Sequence, residues 1–495
     1  MTKEIILAID QGTTGTKVLA LDRMARVVGQ GFREHTQHYP QPGWVEHDPE
    51  EIWQMVKAAA ADALRDAGAS PADVAGVGHD NQGETVMIWD AETGRPLYNA
   101  VVWQCRRTAA MAEAWARDRD WSQRVLAKTG LRIDPYFSAT KIRWLLDHVP
   151  AAQEAMRAGR LRIGTLDTWL FWCLSGGKAF VTDPSTAART LLFNIHTGTW
   201  DQEILDYLQI PREALPEVRP TIGHFCDTDP DAFLGIQAPV VASLVDQPAA
   251  LYGHLCLDPG GVKCTYGTGC FMYMNTGSVP VASRAGLLTT VVWDKGQGPT
   301  YALDGGVYTA GTAMKWLQKV GLLQTAEESA ELALSIPSTE VIFVPALTGM
   351  AAPYWDSDAR GAFVGISAGA GRADLVRAVL EGVAHRVADV AETMGQELGA
   401  PLSYLRVDGG MTRNPFLMQF QADILGVPVE VCNFPDLTCL GTGFLTGEAL
   451  GWWSPADLET RRPSVQTYYP KQSAEWRQAQ REKWRTAVAA VRTIR

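Results

Sequence analysis

The sequence predicts an α/β protein of two duplicated domains facing a cleft, and three observations predict it. Strand-like and helix-like patterns alternate along the whole chain instead of segregating. A strand, a glycine/threonine turn and a second strand occur together twice, once at the N-terminus and once just past the middle. The chain has 495 residues, too many for one compact core. The break between the repeats falls near residues 250–260, so the expected domains are 1–253 and 254–495.

Each element has a local cause. Residues 4–10 (EIILAID) read as a buried strand, 11–16 (QGTTGT) as a turn, 17–22 as a second strand and 26–31 as a third. A helix starts at Asp48, a good N-cap, with Pro49 at the first helical position and Glu51 completing a capping box; it should run to about Gly68. In the second half, residues 262–265 and 270–275 are strands around the turn Tyr266-Gly267-Thr268-Gly269. A long helical pattern spans about 373–398. Residues 405–408 form a strand ending in Gly409-Gly410, and Asn414-Pro415 caps a helix that runs to Gly426.

Composition narrows the function. Hydrophobic residues at 46% and charged residues at 20% exclude a disordered chain. Lys+Arg is 44 against Asp+Glu 55, a net charge of −11 with no basic stripe, so nucleic acid is not an expected partner. None of the eight cysteines forms a CxxC pair, which argues against a zinc knuckle or a thioredoxin-type site. No apolar run reaches the roughly 18 residues of a membrane helix, and the N-terminus lacks an export pattern. The expectation is a reduced, cytoplasmic protein without membrane insertion.

The turns carry the chemistry. Asp10 ends a strand, and Gly12-Thr13-Thr14-Gly15 follows; amides and hydroxyls there can meet phosphate oxygens, and Asp10 can hold Mg²⁺ through water. A single such turn is equally well a plain hairpin. The second turn, with Thr268, is what a phosphate chain gripped from both sides requires. Asp408-Gly409-Gly410 before a helix N-terminus is a weaker third candidate for a nucleotide contact. Neither a Walker loop nor a G-x-G-x-x-G fingerprint occurs. Asp246 follows the apolar run 238–245 and is placed to take a proton from a hydroxyl, although a lone aspartate there is more often a turn former.

Long passages then show a resemblance: AIDQGTTGTK (8–17), WVEHDPEEIW (44–53), NQGETVMIWD (81–90), VDQPAALYG (245–253), TYGTGCFMYMNTG (265–277) and RVDGGMTRNPFLMQFQADILGVPV (406–429). The chain resembles the FGGY carbohydrate kinases over almost its whole length, most of all those that act on glycerol. The resemblance implies an actin-like ATPase (ribonuclease-H-like) fold closing on MgATP and a small polyol, with glycerol to sn-glycerol 3-phosphate the expected reaction. It leaves room for a homo-oligomer. Matched residue by residue, Asp246 is the catalytic base. Gly83, Glu84, Trp103, Tyr136, Gln247 and Phe271 form the polyol pocket with it. Thr13, Thr14, Gly15, Lys17, Thr268, Gly311, Lys315, Gly410 and Asn414 serve ATP, and Asp10 is associated with the metal.

Three positions depart from the family's pattern. Gly83 stands where glycerol kinases usually carry arginine, Lys17 replaces an arginine, and Lys315 replaces a glutamine. Losing a charge-assisted hydrogen bond at 83 costs about 1.5–3 kcal/mol and is expected to open volume. A larger polyol or a ketose is then an alternative substrate, and Gly83→Arg is expected to improve the KM for glycerol. A non-enzymatic, ATP-switched module would share both turns but has no need of Asp246 beside an aromatic pocket.

Overall fold

The structure, a computed structural model, describes residues 4–494. The first sheet begins with an antiparallel meander of β1 (Ile5–Gln11), β2 (Gly15–Asp22) and β3 (Val27–Glu34). Helix α1 (Pro49–Asp66) leads to β4 (Val74–Asn81), which pairs parallel to β1. Then β5 (Ile222–Asp227) and β6 (Pro239–Val245) complete the order β5-β6-β4-β1-β2-β3. The residues of β1 are almost all buried, as expected of a strand covered on both faces, where apolar runs replace alternation.

The second sheet contains β7 (Val262–Tyr266), β8 (Cys270–Gly277), β9 (Leu288–Asp294), β10 (Pro299–Val307), β11 (Leu405–Asp408), β12 (Val429–Cys432) and β13 (Val465–Tyr468). Its order is β9-β10-β8-β7-β11-β12-β13. The series β3-β2-β1-β4-β6 and β10-β8-β7-β11-β12 agree in order and in strand sense. Each ends on an antiparallel edge strand, β5 or β13. The duplication predicted from two hairpins therefore extends through five strands, as the expected actin-like fold requires.

Equivalent helices follow the fifth strand of each sheet: α2 (Asp246–Gly253) after β6 and α6 (Leu437–Ala449) after β12. They cross in close contact, and α6 packs on β1 and β4 of the first sheet although it belongs to the second half of the chain. A Cβ on Gly441 would collide with the Ala249 carbonyl oxygen and stand 2.6 Å from the Gly253 nitrogen. The remaining helices used below are α3 (Gly311–Lys319), α4 (Arg372–Leu398) and α5 (Pro415–Leu425).

A separate four-stranded sheet joins Glu46–His47, just before α1, to Ala100–Val101, Val86–Asp90 and Leu161–Thr165 from the long region between β4 and β5. The predicted strands and helices lie within a few residues of the observed ones. One local expectation fails. Asp48 caps α1, accepting from the Glu50 amide at 2.8 Å, but Glu51 does not close a capping box; its carboxylate accepts from the Thr36 amide and hydroxyl at 3.0 and 2.8 Å. Tying down β3's continuation outweighs a local cap. Among the described residues, no helix is long and apolar enough to cross a membrane.

Candidate functional site

The ends of three parallel strands of the first sheet bring three carboxylates together. Asp10 on β1 is in register with Asp80 on β4, and Asp246 is the residue after β6. Burial pushes the Asp10 carboxyl up to about 6, against a bond to Asp80 that lowers it. Asp80 is raised well above the usual range by burial and by the charge of Asp10. Its Oδ2 accepts from the Thr442 hydroxyl of α6 at 2.5 Å, and its Oδ1 has no partner in the protein. Sequence reading missed Asp80; an aspartate one residue before the end of its strand, as Asp10 is on β1, was the available signal.

Asp246 opens α2, and its Oδ1 accepts from the Gln247 amide at 2.6 Å. Burial raises its carboxyl to about 7; the charges of Glu84 and Asp10 add to the rise, and Lys263 opposes it. Lys263, buried on β7, donates to Gln247 Oε1 and to Thr265 Oγ1, the latter at 2.9 Å. The second sheet thus supplies a cation beside the carboxylates of the first, a residue that no motif had singled out.

Both predicted turns are present. In the first, the Gly12 amide donates to the Gly15 carbonyl at 3.0 Å, and Thr14 is exposed. Thr13 Oγ1 accepts from the Trp103 indole at 2.9 Å, joining this turn to the aromatic pocket. Gly15 itself starts β2. Lys17 is paired with Asp436 at 2.8 Å and donates to Gln30 at 2.9 Å, so its charge is already engaged.

In the second turn the Gly267 amide donates to the Gly269 carbonyl at 2.9 Å. It rests on the N-terminus of α3: the Gly311 amide donates to the Gly267 carbonyl at 3.0 Å, and the Thr312 amide to the Thr268 carbonyl at 3.1 Å. Lys315 lies one helical turn further on and is exposed. Gly410 begins the short helix after β11, and Asn414 caps α5 while donating to Ser329 Oγ at 3.0 Å. Asp408, which ends β11, accepts from or shares a proton with His254 at 2.7 Å.

A cavity of about 50 Å³ reaches Gln247, the residue after Asp246, with Tyr136, Arg189, Phe271, Asp304 and Trp355 also in its wall. Trp103 packs edge-on against Tyr136, ring centroids 5.5 Å apart. Next to Arg189, Glu84 Oε1 accepts from the Arg189 Nε–H at 2.7 Å.

Gly83 requires a correction, because it does not open volume. A Cβ there would stand 2.5 Å from Val245 Cγ2 and 3.2 Å from Arg189 Cγ, so these two side chains already fill the space. Overpacking of this kind costs about 1–3 kcal/mol. Gly83→Arg is therefore expected to raise the KM for a polyol and lower the melting temperature, the reverse of the sequence expectation. Combining it with Val245→Gly, which empties the blocking volume, should recover much of both losses. Kinetics and thermal melts of the single and double variants check this; a single variant with improved KM would contradict it.

Among the described residues, no group of three or more side chains is arranged to hold a metal ion. Mg²⁺ takes one or two carboxylates and completes its octahedron with phosphate oxygens and water. The Asp10 and Asp80 pair, with one oxygen unpartnered, offers such a partial site.

Residues 5–253 match the N-terminal domain of the FGGY family of carbohydrate kinases, and residues 262–449 match its C-terminal domain. A glycerol kinase of Symbiobacterium thermophilum is 48% identical over 495 residues, 99% of each chain. A glycerol kinase of Bordetella parapertussis is 48% identical over 98% of this chain and 96% of its own. The crystal structure of Plasmodium falciparum glycerol kinase with ADP superposes with a TM-score of 0.93 at 34% identity, covering 99% of this chain and 98% of that one. A gluconate kinase of Lactobacillus acidophilus, at 23% identity and a TM-score of 0.88 over 99% of this chain and 97% of that one, shares the fold.

Proposed function

The chain belongs to the FGGY family of carbohydrate kinases, and we infer that its reaction is transfer of the γ-phosphoryl group of ATP to a terminal hydroxyl of glycerol, giving sn-glycerol 3-phosphate. It is an ATP-dependent phosphotransferase with an alcohol as acceptor. The observation that carries the substrate reading is the juxtaposition of Asp246 with a small aromatic cavity through its neighbour Gln247.

Asp246 is the base. As the hydroxyl oxygen attacks the γ-phosphorus, its proton passes to the carboxylate, the bond to the β-phosphate bridging oxygen breaks and ADP leaves. Phosphoryl transfer needs mostly alignment and charge stabilisation. Glu84 and Gln247 bind hydroxyls, while Trp103, Tyr136 and Phe271 pack on the carbon chain. Thr13, Thr14, Gly15 and Lys17 approach the phosphates from the first sheet; Thr268 and Gly311 approach from the second. Lys315, Gly410 and Asn414 lie on the nucleoside side. Asp10 would hold Mg²⁺, which supplies neutralisation of phosphate charge.

The two units divide near 253/254 along the chain, apart from α6, and cleft closure would exclude water from the reaction. A cytoplasmic setting is supported by eight cysteines that are all free thiols. ADP release measured on glycerol, erythritol, threitol and xylulose should give the highest kcat/KM for glycerol. A higher value for a longer substrate would overturn the assignment.

A further inference from the structure

Arg189 is the one cation in the cavity wall, and the missing side chain at 83 makes room for its stem. It is 3% exposed. Its Nε–H donates to Glu84 Oε1 at 2.7 Å and an Nη1–H donates to Asp304 Oδ2 at 3.0 Å. Asp304 Oδ2 also accepts from the Tyr273 hydroxyl at 3.1 Å. The guanidinium carbon lies 5.9 Å from the Tyr136 ring and 5.3 Å from the Phe137 ring.

These two bonds use two of the five N–H donors of an arginine, and an ionised carboxylate has about four lone-pair sites. A hydroxyl both donates and accepts. An acceptor–donor–acceptor series of Glu84, Arg189 and Asp304 therefore matches two hydroxyls on adjacent carbons. Arg189 comes from the first half of the chain and Asp304 from β10 of the second sheet, so recognition and the relation of the sheets meet at one side chain.

We propose that Arg189 determines alcohol specificity, donating to the hydroxyl next to the reacting one while holding Glu84 in place as an acceptor. The proposal rests on the polyol-kinase reading, so the experiment separates binding from transfer. Glycerol and propane-1,3-diol, which lacks the middle hydroxyl, are titrated calorimetrically into the wild type and Arg189→Lys without nucleotide. Transfer with ATP is assayed separately.

Lysine keeps the charge between two buried carboxylates, so the chain is expected to fold, and a thermal melt verifies it. It loses the planar fork. The Kd for glycerol should rise about 10- to 100-fold, the loss of one charge-assisted hydrogen bond. The Kd for propane-1,3-diol should stay near its wild-type value, and the KM for ATP should not move. An unchanged glycerol Kd, or an equal loss for both alcohols, overturns the proposal. A wild type that discriminates the two alcohols through Arg189 yet transfers no phosphoryl group upholds it and overturns the kinase reading alone.

Discussion

Replacing Asp246 with asparagine is expected to slow phosphoryl transfer by about 10²–10⁴-fold, the usual contribution of a positioned general base, while ATP still binds. The same variant should melt at a higher temperature than the wild type above pH 7. Burial holds the folded carboxyl at about 7 against an ordinary 3.8. The folded state therefore holds this proton more tightly than the unfolded chain, and stability falls as pH rises from about 4 to about 7. Asparagine never carries the charge, so its advantage is complete above pH 7 and vanishes below pH 4. In the wild type, kcat/KM should rise through pH 7 and level off, since the base must be ionised. A variant with undiminished transfer, or a profile flat between pH 5.5 and pH 8.5 (roughly 1.5 units either side of the base), would refute the role of Asp246.

Gly441→Ala is expected to destabilise the protein by about 1–3 kcal/mol or more and to lower kcat. The sign is informative, because alanine in an exposed helix interior normally gains about 1 kcal/mol over glycine. Here the added methyl meets the Ala249 carbonyl oxygen and the Gly253 nitrogen across the α2–α6 crossing, with backbone on both sides. Backbone cannot rotate away as a side chain does, so the helices must separate. That displaces Asp246 at the start of α2 and Thr442, which holds Asp80. Calorimetry and steady-state kinetics check both effects; an unchanged melting temperature would mean that the crossing yields without cost.

The hairpins were legible because apolar runs bounded by Gly-Thr turns have one economical reading, and Asn414 and Asp48 were legible because caps act locally. Helix α6 was not. Glycines are poor helix formers on propensity alone, and the reason for them here is tertiary: Gly443 lies under Leu21 and Gly447 under Trp453, where larger residues have no room. Pro248 hid α2 in the same way, although proline is tolerated in a first helical turn. Asp80 gained meaning only when β4 was laid beside β1, and Arg189 sits in a stretch (TAART) without local pattern. Gly83 was recognised as unusual, but its consequence was misread because the filling atoms come from Val245 and Arg189, both more than a hundred residues away.

The path of the chain also sets a timetable for synthesis. Cys439 Sγ on α6 donates to the Ala8 carbonyl of β1 at 3.3 Å across 431 residues. At about 5–20 residues per second on the ribosome, β1 waits roughly 20–90 s for its covering helix. During that interval the nascent protein presents an uncovered greasy surface, so shielding by a chaperone matters more for this molecule than its final burial suggests.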